Sequence, residues 1–328
     1  MSNQVVLGRN SDYAAGTLVS SSKRGLEANT DGIEARYRQR TRNGLRAGAG
    51  LKQQPFPPIQ DGGVGPIVAD LLSNGLSPLF ASLFGTAAVT TPGGATLARA
   101  HTFTSIQTSA AEWLYLQKVV ETEDGTDGGI FTLKGGSVQS LGIAQAVGDG
   151  EQVAAKVTAQ TDFKTLVTNA SKDTATYRTV GDQFGYANCT VTLGGVVPCA
   201  NNFNLNIDKS LDISKRCLDA ADGRHAPKRN GFPAITGDFE VVHQDNDLFD
   251  LWASGDDVEL VIAWESAVEI ESGTPYSCTI RIPSVVVMGD TPQWQVGSAG
   301  TQSVKLEAVD NNTDEPITVE FITSDTSL

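Results

Sequence analysis

The sequence predicts a mainly β protein built from two copies of one domain, each with one short helix. Three observations predict it: the composition, the period-two alternation of the strands, and landmarks that occur twice. A chain of 328 residues is long enough for two domains with separate cores. A hydrophobic fraction of 40% and 34 glycines are typical of a folded, turn-rich chain, and frequent Thr and Val with few aromatic residues favour strands.

The landmarks keep the same order in both halves. Residues 22–28 recur at 214–220 with five of the seven residues unchanged. Three further pairs follow: 42–47 with 229–234, 79–85 with 248–255, and 134–142 with 281–289. Four matched pairs in one order indicate an internal duplication. The predicted division is a flexible N-terminus at 1–15, a first domain at 16–168, a connecting hairpin or linker at 169–202, and a second domain at 203–328.

One short helix is predicted in each copy. In the first, Ser77 can cap the helix, Pro78 suits its first turn, and Gly85 ends it. Its apolar face is Leu79, Phe80, Leu83 and Phe84. The counterpart in the second copy is Leu248, Phe249, Leu251 and Trp252.

Alternation of apolar and polar residues predicts half-buried strands in both copies. The matched positions are Val153, Ala155 and Val157 in the first copy and Val304, Leu306 and Ala308 in the second. Pro55, Pro57 and Pro58 interrupt a stretch where a regular strand is expected. Because proline cannot donate to a ladder, that stretch is predicted to be an edge or an irregular strand.

Positive charge is concentrated near the N-terminus. The net charge is −14, yet residues 1–52 hold nine Lys and Arg against four acids, which leaves +5 there and −19 elsewhere. Arginine occupies every second position from 36 to 42, so an extended strand would place these side chains on one face. Asn43-Gly44 then marks a turn. The predicted basic arm and its weaker second copy comprise Arg36, Arg38, Arg40, Arg42, Arg46, Arg224, Lys228 and Arg229.

We consider three interpretations of the arm. The simplest is a solvated extended hairpin. A nucleic-acid contact would use the clustered cations, but the segment lacks interleaved aromatic residues other than Tyr37. A protein–protein arm is favoured, because a basic arm on an acidic body is self-complementary. Head-to-tail contacts of that kind build open arrays.

Signals for catalysis or metal binding are weak. His101, His225 and His243 have no spaced partners that resemble a catalytic triad, and no GxSxG, HExxH or P-loop pattern occurs. The 310–314 segment alternates like a calcium loop but lacks the glycine and glutamate that complete one, so a solvated hairpin turn is predicted. We therefore expect no enzyme activity and no cofactor.

The cysteines and the hydropathy indicate the compartment. Four cysteines form no CxxC pair. Cys189 and Cys199 flank Gly194-Gly195, where a predicted hairpin could place them opposite one another; both a disulfide and two reduced, half-buried thiols stay open, with the thiols favoured. No apolar run approaches membrane-spanning length and no secretory signal begins the chain, so synthesis and use from the cytosol are expected.

Taken in order, these features resemble the tail tube (major tail) proteins of long-tailed bacteriophages and their archaeal relatives. In the first half the resemblance lies in the basic arm, in 76–85 with its LxPLFxxLFG character, and in 101–104. In the second half it lies in 203–208, 235–241 and 248–255. It extends from about residue 16 to 323, and its strength is the order of the features rather than any single motif. The 169–202 connection and the prolines at 55–58 depart from the family pattern.

The resemblance implies two tandem β-sandwich or barrel domains, each with a flanking helix and a long hairpin arm. Three duplicated chains would form a pseudo-hexameric ring, and arms would stack the rings into a hollow tube. The implied partners are further copies of the chain, a tape-measure protein, and tail terminator or baseplate proteins. Genome DNA would pass an acidic lumen without specific binding. The implied location is the virion tail, assembled in the host cytoplasm, with no membrane contact.

Two alternatives remain beside this interpretation. A tandem β-sandwich binding module, such as an adhesin or a carbohydrate-binding surface protein, would explain two sandwiches and the Asn-x-Ser/Thr triplets at Asn169, Asn188 and Asn311. It does not explain the missing export signal or an arm in both copies. A nucleic-acid-binding protein would show salt-sensitive DNA affinity.

Overall fold

The computed structural model describes residues 4–13, 18–40, 56–104, 112–123, 127–148, 154–174, 177, 183–214, 225–289, 291 and 300–328. These residues form nineteen strands and two α-helices, so the predicted mainly β class is confirmed. Seventeen strands belong to one large antiparallel sheet, and two short strands pair separately.

The first half contains ten strands and a helix. Their bounds are β1 Gln4–Asn10, β2 Leu18–Leu26, β3 Ala28–Asp31, β4 Glu34–Arg40, β5 Phe56–Asp70, α1 Ser77–Phe84, β6 Thr86–Thr90, β7 Arg99–Thr104, β8 Trp113–Glu121, β9 Asp127–Ala146 and β10 Lys156–Thr168.

The second half follows a short 3-10 turn at Tyr186–Asn188. Its elements are β11 Cys189–Leu193, β12 Ala200–Asp208, β13 Leu211–Asp212, β14 Lys228–Arg229, β15 Ala234–Val242, α2 Asp247–Ser254, β16 Asp257–Glu271, β17 Thr274–Gly289, β18 Thr301–Ala308 and β19 Thr318–Thr323.

Both halves repeat one pairing pattern. In the first, β1 pairs with β8, β8 with β9, β9 with β10, β10 with β5, and β5 with β4. In the second, β11, β16, β17, β18, β15 and β12 pair in the corresponding order. The long β10 matches β18 and β19 together, because both of those strands lie along β17. The place of the single strand β10 in the first half is therefore taken in the second half by two strands, β18 and β19, which a loop separates.

Two strand pairings join the halves. The C-terminal part of β9 pairs with β12 through residues 140–146 and 202–208. In addition, β7 of the first half pairs with β19 of the second through residues 99–104 and 318–323. The halves therefore share hydrogen-bonded sheet.

The first of these junctions creates a continuous eight-strand ladder. Its order is β3 and β4 together, then β5, β10, β9, β12, β15, β18 and β17, with every neighbour antiparallel. Among the described residues, β3 and β4 pair only with β5, so the ladder begins at an open edge. Its other end is residues 287–289 of β17, because the earlier part of that strand also pairs with β16, and this described segment ends at Gly289.

Close backbone packing fixes one position in β5. Gly62 has a φ of 76°, and a Cβ there would lie 1.9 Å from the carbonyl oxygen of Phe163. Only glycine fits both the dihedral angle and the space. Before this point the proline-containing end of β5 pairs, among the described residues, with β4 alone, as expected for an edge segment.

Several sequence expectations need correction. Residues 1–15 were expected to be flexible, but β1 pairs with β2 and β8 and buries Val6 and Leu7. Ser77 does not cap α1, whose N-cap is Leu76. The 310–314 turn does not close a hairpin, because β18 and β19 both pair with β17.

The predicted hairpin at 189–199 is also wrong beyond its turn. A single bridge joins Leu193 to Val196, and β11 pairs instead with β16. Cys189 lies opposite Trp264 rather than Cys199, and Cys199 is exposed rather than half-buried. Both thiols are free. Burial raises the pKa of Cys189 to about 12, so this thiol is unreactive at neutral pH.

Candidate assembly surfaces

The base of the first arm is the β4–β5 pair, and Arg36 lies at a bulge there. Its guanidinium Nη2 is 3.5 Å from Oδ1 of Asp162, whose side chain is 1% exposed. Arg36 therefore compensates a buried carboxylate on β10 of its own chain. Bulges between 35 and 37 and between 38 and 40 also interrupt the alternation that predicted a shared arginine face.

The rest of the first arm lies outside the description. The backbones of Arg38 and Arg40 belong to β4, but their side chains are outside the described set. Arg42 and Arg46 lie in the 41–55 gap between described segments. A stacking role for these four residues stays a prediction.

The base of the second arm is the two-stranded β13–β14 sheet. Lys228 is exposed there, and the half-buried Arg229 donates from Nε to the carbonyl of Gly231 at 3.1 Å. Arg224 lies outside the described residues. Phe232 follows directly and is 90% exposed. These residues form a partly apolar base for the predicted second arm.

A buried lysine connects the second arm base to the first helix. Lys209 follows β12, is 1% exposed, and places Nζ 3.4 Å from the carbonyl oxygen of Ser82 in the last turn of α1. Burial lowers the pKa of Lys209 to about 8, and the nearby Arg229 adds to this. Sequence reasoning missed this residue, because nothing in its local sequence separates it from an exposed lysine.

The two predicted helices have different surroundings. All residues of α1 are buried, and Phe80 packs against Phe84, Phe103 and Phe321 with ring centroids 6.4, 5.7 and 5.0 Å away. Phe103 lies on β7 and Phe321 on β19, so strands from both halves cover the helix. Gly85 ends α1 with a φ of 74°, as predicted.

The second helix is half exposed. Its only buried residue is Leu248, and Phe249 and Leu251 are half-buried. Trp252 is 37% exposed and lies 5.4 Å from Phe249 in a T-shaped arrangement. Gly255 ends the helix with a φ of 70°. The repeated sequence thus produces two helices that both end on a left-handed glycine but differ in how far they are buried.

One face of the eight-strand ladder points away from the core. On β12, β15 and β18, buried Phe203, Phe239 and Leu306 mark the inner-core face. The opposite face is polar and exposed, comprising Asn204, Asn206, Thr236, Asp238, Glu240, Ser303, Lys305 and Glu307. Its charge is acidic, with three carboxylates to one ammonium.

A carboxylate clasp also holds the halves together. Glu271, at the tip of the β16–β17 hairpin, accepts hydrogen bonds from the backbone N–H groups of Thr96, Leu97 and Ala98 at 2.9–3.1 Å. Thr96 Oγ1 donates a further bond at 2.8 Å. The bonds from Ala98 and Thr96 lower the pKa of Glu271 to about 2.

The residues after β19 are fixed by polar contacts from the first half. Asp325 lies 3.6 Å from Arg24, and its Oδ2 accepts from the N–H of Gly75 at 2.9 Å. His101 Nε2 donates to the Asp325 carbonyl at 2.9 Å, while Nδ1 accepts from Ser77 Oγ at 2.8 Å. Burial lowers the pKa of His101. With both ring nitrogens hydrogen-bonded inside the protein, His101 is a structural residue.

Among the described residues, no three His, Cys, Asp or Glu side chains are grouped so as to hold a metal ion. Within the same residues, no helix combines the length and apolar character needed to cross a membrane.

A family model described as phage tail tube protein matches residues 3–321. The chain belongs to the phage tail tube protein family. No curated protein matches the sequence.

Membership defines this tail tube protein as a structural component of a phage tail. The family implies self-assembly into a tube together with other tail proteins, and the mainly β fold agrees with it.

Proposed function

We propose that three copies of this tail tube protein close into a pseudo-hexameric ring and that rings stack into the hollow tube through which genome DNA leaves the virion. The eight-strand ladder supports this proposal most directly. Among the described residues, it begins at an open edge formed by β3 and β4 and ends at residues 287–289 of β17, so a second copy can continue it by strand pairing.

The junction between the halves suggests how rings close. Within one chain, residues 140–146 of β9 pair with β12 of the second half. By the repeated pattern, the counterpart of this part of β9 begins near Gly289, and the counterpart of β12 is β4. Pairing these two between chains would repeat the internal junction around the ring. We accordingly place the division between pseudo-equivalent units between Gly185, which bridges to the first half, and Cys189 of β11.

The resulting tube has a suitable width. Three ladders give 24 strands, and a spacing of about 4.8 Å with a tilt of about 40° corresponds to a barrel roughly 50 Å across its backbone. Side chains make the inner diameter of the tube smaller than this backbone value, yet a DNA duplex still fits inside. The exposed acidic face of the ladder would line the lumen, where like charge keeps phosphates from adhering.

The remaining parts of the proposal concern partners and place. A tape-measure protein would occupy the lumen before DNA, and terminator and baseplate proteins would bind the tube ends. Assembly would take place in the host cytoplasm. These roles follow from the proposed tube rather than from any single contact of the chain.

Light scattering coupled to size exclusion tests the ring. The expected species has three times the 34.5 kDa chain mass, about 104 kDa. Negative-stain images should show pseudo-six-fold rings and stacked tubes. A strictly monomeric protein at high concentration would overturn the ring, and a six-chain ring would overturn the duplicated stoichiometry.

A further inference from the structure

We propose that α2 and the aspartates around it are the docking site for residues 41–55 of a second copy in the adjacent ring. This inference rests on the proposed stacking of rings and names the surface that receives the first arm.

The first argument is the unequal cover of the two helices. Both occupy the same position in the repeated pairing pattern and end on a left-handed glycine. In the first half, β6 and β7 follow α1, and β7 and β19 bury it. In the second half β16 begins directly after Gly255-Asp256, so no strand pair is inserted to cover α2. Within the described residues, the half-exposed Phe249 and Trp252 therefore form an apolar centre without the cover that α1 has.

The second argument is charge. In the sequence on either side of this apolar centre are five exposed aspartates, Asp245, Asp247, Asp250, Asp256 and Asp257. Within the described part of the chain, none of them forms an ion pair. Residues 230–280 contain eleven Asp and Glu but no Lys or Arg. The chain itself thus supplies no nearby basic residue in sequence, and a basic partner matches the surface.

The third argument is the composition of the occupant. Residues 41–55 contain Arg42, Arg46 and Lys52, no acid, and the apolar Leu45 and Leu51. An arginine over Trp252 would add a cation–π contact, and a leucine would cover Phe249. The second arm is less suited, because residues 215–224 hold two acids against three basic residues. One strongly basic arm therefore matches one acidic helix per chain.

The reach of the segment is sufficient for a neighbour. Folded as a hairpin, fifteen residues extend about 20 Å beyond the β4–β5 base at roughly 3.3 Å per residue. The contact would be heterologous, with the arm of each copy on the helix of the next, and such contacts propagate along an axis.

Two charge-reversed chains test the contact. One carries Arg42→Glu with Arg46→Glu, and the other carries Asp250→Lys with Asp256→Lys. Each alone should form rings of normal mass and melting temperature, but the amount of sedimentable tube should fall about tenfold or more, because like charges face one another. Glu265→Lys with Glu315→Lys, two exposed acids elsewhere, is the matched control and should form tubes normally.

Mixing the two purified ring variants distinguishes contacts between rings from contacts within one. In an alternating stack, each wild-type arm meets a wild-type helix and each reversed arm meets a reversed helix. The mixture should therefore recover tubes, as should a chain that carries all four changes. Recovery in the mixture would not occur if the arm bound α2 of its own ring.

The outcomes separate this inference from the proposed function. Normal tubes from the Asp250/Asp256 variant, or a mixture that fails to recover them, would overturn the docking site while leaving ring and tube formation intact. The absence of rings from the wild-type chain would instead overturn the proposed function itself.

Discussion

Replacing Lys209 by methionine is expected to stabilise this tail tube protein at neutral pH. The ammonium is buried, and its hydrogen bond to the Ser82 carbonyl is long at 3.4 Å. No carboxylate contacts it among the described residues. Methionine has a similar length and needs no solvation, so it removes the cost of burying the charge.

The magnitude follows from the pKa of Lys209, which burial lowers to about 8. An ordinary lysine has a pKa of about 10.4, so the lowered pKa corresponds to a cost of about 3 kcal/mol for burying the charged form. Below pH 8 the folded protein carries the full cost of the charged form. Between pH 8 and about 10.4 the unfolded chain binds more protons than the folded one, so stability rises with pH across that window.

The assay is urea unfolding of wild type and Lys209→Met at pH 7 and pH 10, at one protein concentration and in one oligomeric state. The variant should gain up to about 3 kcal/mol at pH 7, and the gain should largely disappear at pH 10. Lys305→Met, at an exposed position on β18, should change stability by less than about 0.5 kcal/mol. A variant that is less stable at pH 7, by an amount independent of pH, would refute the reasoning. It would show instead that carbonyls at the end of α1 stabilise the ammonium.

Two further predictions concern the contacts between the halves. Glu271→Gln should speed hydrogen exchange in residues 92–104 while leaving β9 unchanged, because the carboxylate accepts bonds from that loop. The pKa of Glu271 is about 2, below the ordinary value near 4.3. The stability that its carboxylate contributes is therefore complete above pH 4.3 and is lost as the pH falls through 2. Unchanged hydrogen exchange in the variant would argue against the clasp. Phe80→Ala should cost about 3–5 kcal/mol in unfolding, and Trp252→Ala clearly less, because only Phe80 is fully enclosed; equal losses in the two variants would contradict the unequal cover.

The helices show what local sequence can predict. Apolar spacing and a following glycine predicted α1 and α2 correctly, because both signals lie within about one turn of the helix. Their burial could not be predicted, since it depends on β6, β7 and β19, and β19 lies far along the chain. Two similar apolar faces therefore ended in different environments.

The arm and the exposed acidic face of the ladder show the same limit. Alternating arginines predicted a basic strand, but the pairing of Arg36 with Asp162 joins residues 126 positions apart. Alternation on β18 likewise predicted two faces for that strand without saying which one covers a core. Pairing across the sheet decides this, and it is not encoded in any short window.

The pairing of β7 with β19 has a consequence for synthesis. Thr104 meets Thr318, and Phe80 completes its aromatic contacts only with Phe321. While the ribosome is still translating the second half, α1 lacks part of its cover, and β7 is paired on one side only, by β6. Such distant pairings form slowly and late. A nascent chain therefore gains its finished core only after residue 323 emerges.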